Sequence, residues 1–155
     1  MKLSEQVTQF FDSQNFVIVS TVDETGRPHS SCKGIFRIEE DGTVYLLDLY
    51  KGRTSRNLKQ NPNISITAVD EHKFRGWCLK GEARIINENE LQPGVLADWK
   101  KKITGRITHR LLKNMHGEKG HPLHPEAQLP KPEYLIEMKV SGIVDLAPSG
   151  LKKQR

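Results

Sequence analysis

The sequence predicts a mainly β protein: an antiparallel barrel with flanking helices and one helical insertion before its last strand. Three observations carry this. Short β-branched and aromatic runs recur at eight- to twelve-residue spacing, separated by turn residues. Strands follow strands without alternating helices, which disfavours βαβ units. No strand-GxGxxG-helix unit occurs, which argues against a dinucleotide fold.

The elements follow in order. Ser4 can cap a helix over residues 4–13, since Val7, Phe10 and Phe11 recur at helical spacing and give it one apolar face. Phe16–Val22 is a β-branched run too short for a helix, and Asp23-Glu24-Thr25-Gly26-Arg27-Pro28 is turn chemistry. His29–Ile38 and Thr43–Leu49 read as strands joined by the hairpin signal Asp41-Gly42. Thr54–Gln60 reads as a short helix closed by Asn61-Pro62. Ile64–Val69 alternates cleanly, and Arg75–Ile86 is the next strand, with Gly76 and Gly81 marking a bulge or close approach. Leu91 to Met115 has helical spacing in Leu96, Trp99, Ile103, Ile107, Leu111 and Leu112, with Gly105 as its candidate break. Residues 116–132 contain four prolines and read as an irregular excursion, before a last strand over Glu133–Leu146. One domain over 1–155 is expected, with the insertion at about 91–132.

Composition narrows the class. With 35 % hydrophobic and 28 % charged residues, the chain has an ordinary water-soluble balance. The net charge of +5 is concentrated in Lys100-Lys101-Lys102, Arg106, Arg110, Lys113 and the tail Lys152–Arg155. It lacks interleaved aromatics, so a solvated helix face is expected rather than a nucleic-acid surface. Two cysteines make no disulfide framework, and Cys32 and Cys78 read as small packing residues. No segment reaches the ~18 to 20 apolar residues of a membrane span, and a cytoplasmic protein is expected. His109, His116, His121 and His124 lack partners at zinc-ligand spacing, so no metal is expected. A short all-β chain gains from pairing with a second copy.

Lys51, Arg53 and Arg56, with Thr54, Ser55 and Asn57, lie where a strand ends and a helix begins. Backbone N–H groups at a helix start, hydroxyls and cations together suit a phosphate. The same residues also suit a capped, solvated connection.

The blocks TVDETGRPHSS, DGTVYLLD, GRTSRNLKQNP, ISITAVD and RGWCLKGEARI stand in an order that resembles the pyridoxamine 5′-phosphate oxidase-related family of FMN-binding split barrels, across residues 4–90 and 133–146. The resemblance implies a homodimer with two FMN molecules at its interface, each touched by both chains. It sets Ser30, Ser31, Cys32 and Lys33 along the isoalloxazine and ribityl groups, and Leu47 and Asp48 where the neighbouring strand meets the cofactor. Arg53 and Thr54 match the two phosphate positions, commonly Arg then Lys in the family, so Lys51 or Arg56 would stand in for the missing cation, beside Asn57. Trp77, with Gly76, matches a region that the opposite subunit brings to the flavin ring; core or dimer packing is the alternative reading of that residue. The implied function is an FMN-dependent oxidoreductase of small molecules. A non-catalytic flavin carrier or sensor, or the same barrel with a deazaflavin or haem, is the alternative. The C-terminus lacks the basic Arg and His substrate motif of the true oxidases, so oxidation of vitamin B6 is not expected.

Overall fold

The computed structural model describes residues 1–48, 51–90 and 134–152, together with residues 94, 95, 97, 98, 101, 102, 104, 105, 108, 112 and 115–117 of the segment between. The predicted residues Leu96, Trp99, Ile103, His109, His121 and His124 lie outside this set, as does most of the proline-rich excursion.

Six strands, β1 (Val17–Val22), β2 (Pro28–Ile38), β3 (Thr43–Leu47), β4 (Asn63–Asp70), β5 (Arg75–Asn87) and β6 (Tyr134–Asp145), close a barrel in the order β1-β2-β3-β6-β5-β4. Every pairing is antiparallel, and the β1–β4 ladder from Ile18–Thr67 to Thr21–Ile64 closes the ring. Closure removes the free edges that an open sheet would expose. Helix α1 (Glu5–Asp12) and helix α2 (Arg53–Gln60) flank it, and a short α3 (Ser149–Lys152) follows β6.

Local chemistry explains the elements. Ser4 accepts the Val7 N–H, so the expected cap starts α1, and Val7 and Phe11 enter the barrel interior from its inner face. The β1–β2 turn is held by Asp23, whose Oδ1 accepts N–H groups from Thr25 and Arg27, while Gly26 supplies the positive φ the turn requires. Val17, Val19, Ile35, Val44, Leu46, Ile66, Leu79, Ile136 and Met138 alternate into the interior, where most are fully buried.

Two irregularities shape the wall. Opposite the β6 bulge, where Ser141 is the extra residue between the pairs Lys80–Gly142 and Gly81–Val140, a side chain on Gly81 would collide with the Lys139 carbonyl oxygen. In β2 the register shifts between Ile35 and Arg37, which turns Phe36 outward into a second cluster with Leu47, Val95 and Leu135. The described positions between 94 and 115 are helical, as the spacing predicts. Val95 seats this insertion on the outer wall of β2, β3 and β6, and Lys102 Nζ donates to the Phe36 carbonyl at 2.7 Å. Lys102, half-buried, therefore ties the insertion to the wall at the carbonyl beside the bulge, with its stem lying along the apolar surface. No helix among the described residues is long and apolar enough to cross a membrane.

Candidate functional site

The predicted residues of β2 divide by strand phase. Val17 and Val19 face the interior and pair with Lys33 and Ser31, so those two point inward while Ser30 and Cys32 point out. Cys32 is exposed, which corrects its expected packing role: pairing with β1 sets the phase of β2, and that phase puts the thiol on the outer wall. Cys78 is half-buried in the same outward row.

Helix α2 lies over the barrel beside β1, β2 and β5. Thr54, Ser55, Asn57 and Leu58 form its buried face. Thr54 Oγ1 shares a hydrogen bond with Ser31 Oγ at 3.0 Å, and Asn57 Nδ2 donates to Thr21 Oγ1 at 2.9 Å, both tying the helix to the wall. Arg53, Arg56 and Lys51 are exposed. Neither Arg53 nor Arg56 forms an ion pair among the described residues, and Gly52, at the N-cap, offers no side chain to the first N–H groups of the helix. The corner thus combines two uncommitted guanidinium groups with an uncapped helix start, a donor set that fits a phosphate. The hydroxyl at the second family position, Thr54, is occupied inside the protein.

Beneath this corner runs a row of buried charge. Lys33, Asp48 and Tyr134 follow one another across β2, the end of β3 and β6, next to the pairs Gly34–Leu47 and Leu47–Leu135. Lys33 Nζ lies 2.7 Å from Asp48 Oδ1, their side chains 8 % and 4 % exposed, and Tyr134 donates its hydroxyl to Asp48 Oδ2 at 2.6 Å. Asp48 immediately precedes the connection to α2, so the row anchors the entrance of the corner. The sequence reading included Lys33 and Asp48 but missed Tyr134, whose only signal was its place at the start of the last strand.

Leu47 is packed under the insertion, and Trp77 lies in the interior with its ring edge-on to Phe10 at 4.6 Å. Trp77 is six residues, about 20 Å of strand, along β5 from Ala83, whose N–H donates to the Pro62 carbonyl just after α2. The structure thus gathers Ser31, Lys33, Asp48, Arg53, Thr54, Arg56 and Asn57 at one end and leaves Trp77 at the other. No group of three or more metal-binding side chains occurs among the described residues.

The sequence matches the family model for pyridoxamine 5′-phosphate oxidase over residues 3–143. The chain belongs to the pyridoxamine 5′-phosphate oxidase family. Solved structures similar to this family member include HupZ of Group A Streptococcus, at 22 % identity and a TM-score of 0.65, covering 93 % of this chain and 94 % of that one. The haem storage protein HutZ of Vibrio cholerae shares 21 % identity at a TM-score of 0.56, covering 93 % and 94 %. A pyridoxamine 5′-phosphate oxidase-like protein of Lactobacillus delbrueckii shares 16 % at 0.60, covering 92 % and 93 %. At these identities the likeness shows the shared barrel fold. No curated protein matches the sequence.

Proposed function

We propose that this member of the pyridoxamine 5′-phosphate oxidase family is an FMN-binding flavoprotein, an oxidoreductase of small molecules working as a homodimer over one domain spanning 1–155. The observation that carries the reading is the pair Arg53 and Arg56, exposed and without ion pairs at the uncapped start of α2. A phosphate dianion there would meet two charge-assisted donors and the N–H groups of the first turn. Thr54 and Asn57 hold the helix in place through Ser31 and Thr21, so the corner is built before a ligand arrives. Bound FMN would supply hydride and electron transfer at its ring; the protein's part is to hold the phosphate and shape the wall beside it.

The homodimer is supported by an apolar stretch of the outer wall whose residues are exposed. Cys32, Ile18, Thr67, Cys78 and Val144 form one outward row across β2, β1, β4, β5 and β6. Ile18, Val69, Val144 and Leu146 are all exposed on that side, an apolar surface that a second copy would cover. On this reading the partner's wall completes the flavin site, whereas Trp77, buried against Phe10, packs the core of its own chain instead of reaching a partner's flavin ring.

Titration with FMN and with riboflavin tests the reading. Arg53→Ala should weaken FMN by about 1.5 to 3 kcal/mol, roughly ten- to a hundredfold, and leave riboflavin nearly unchanged. A purified protein that is colourless and ignores added FMN would sink it. A haem spectrum would favour the second reading, which the likeness to a haem storage protein supports.

A further inference from the structure

A cleft of about 440 Å³ opens between α1 and the β4–β5 hairpin, at the opposite end of β5 from α2. That volume falls within the range of small-molecule sites, about 300 to 1,000 Å³. We propose that it binds a planar aromatic carboxylate, with Arg75 as the residue that recognises the acid group. The inference does not depend on the flavin reading.

The cleft has an aromatic floor and two walls of opposite charge. Phe10, half-buried, stands edge-on over the buried Trp77, so the cleft rests on a rigid ring pair. Flat apolar ligands stack or pack edge-on against such surfaces at little conformational cost. The α1 wall presents Glu5 and the amides of Gln6 and Gln9, and the Glu5 carboxylate already accepts Gln9 Nε2 at 2.8 Å.

On the hairpin wall, Asp70 pairs in register with Arg75 across the two strands, yet its carboxylate is taken elsewhere. It accepts the Lys73 N–H at 3.2 Å and lies 3.6 Å from Lys73 Nζ. Lys73 and Asp70 thus offset each other. Arg75 remains half-buried, with neither an ion pair nor a side-chain hydrogen bond among the described residues. A guanidinium so placed offers a planar fork of donors that matches a carboxylate in two parallel hydrogen bonds. The acid of a ligand would turn to Arg75 and away from Glu5, while its ring covers Phe10.

Calorimetric titration of the full chain with 2-naphthoate and with naphthalene-2-carboxamide tests this. The expected result is binding of the acid, a loss of about tenfold or more for the neutral amide, and an equal loss for the acid in Arg75→Gln. Phe10→Leu should weaken acid and amide alike, because it removes the floor but not the fork. Arg53→Ala should leave naphthoate affinity unchanged, which separates this site from the corner at α2. Equal binding of acid and amide by the unmodified chain would overturn the proposal, as would full affinity in Arg75→Gln or a loss confined to Arg53→Ala.

Discussion

Removing either charge of the buried pair Lys33–Asp48 should cost more stability than changing any other polar side chain in the described barrel. Lys33→Met keeps the aliphatic stem but leaves Asp48, 4 % exposed, with the Tyr134 hydroxyl at 2.6 Å as its remaining partner. Stranding one member of a buried ion pair costs about 3 to 5 kcal/mol, because the surviving charge keeps its desolvation penalty and loses its compensation. In urea, with a slope of about 2 kcal/mol/M, that is a fall in midpoint of about 2 M at fixed protein concentration. Asp48→Asn should behave similarly, since it strands the ammonium. Tyr134→Phe removes one hydrogen bond to a charged acceptor and should cost about 1.5 to 3 kcal/mol. The double variant Lys33→Met with Asp48→Asn decides the matter. If the row is a compensated pair, its loss should fall short of the sum of the singles by about 2 kcal/mol or more, the coupling expected of residues in direct contact. Additive losses, or a cost below about 1 kcal/mol for Lys33→Met, would refute the assignment.

Other parts of the fold make separate demands. Asp23 is held below the usual carboxylate range by the Thr25 hydroxyl first, then by the Arg27 and Thr25 N–H groups. A depressed carboxylate stabilises the fold above its unfolded pKa of about 3.9 and loses that contribution as pH falls through the folded value, so Asp23→Asn should show a smaller drop in melting temperature between neutral and strongly acidic pH than the unmodified chain. An equal drop would mean that the turn does not sense pH. Gly81→Ala should destabilise by about 1 to 3 kcal/mol or more, because its methyl would meet the Lys139 carbonyl at the bulge; an unchanged denaturation midpoint would show that β6 can yield there. Ile18→Glu at its exposed position on the outer wall should shift sedimentation toward the monomer with the far-ultraviolet spectrum preserved, and a sedimentation profile identical to that of the unmodified chain would move the dimer contact elsewhere.

Much of the barrel was legible because its signals are local. The Ser4 cap, the Gly26 turn and the Asp41-Gly42 hairpin each depend on a few adjacent residues, and each element appears where those residues put it. What stayed hidden depends on pairing between distant segments. The phase of β2 is ambiguous in a stretch that holds Ser30-Ser31-Cys32-Lys33 and, farther on, Ile35-Phe36. Only its register with Val17 and Val19 sends Lys33 inward and Cys32 outward, and only the bulge lets Ile35 and Phe36 serve two different cores. Tyr134 meets Asp48 across 86 residues, beyond the reach of any spacing rule.

The same limit applies to charge, and it bears on function. In a sequence every lysine and arginine counts alike, and the basic corner had two readings for that reason. The folded chain separates them by partner. Lys33 is bound to Asp48, Lys102 to the carbonyl beside the bulge, and Lys73 to Asp70. Arg53, Arg56 and Arg75 have no such partner among the described residues. A guanidinium without a protein partner is the group with most to gain from an external anion, since no existing bond must be broken first. The two ends of the barrel at which these arginines stand are therefore the places where ligands of opposite design, a phosphate at one and an aromatic acid at the other, should be sought.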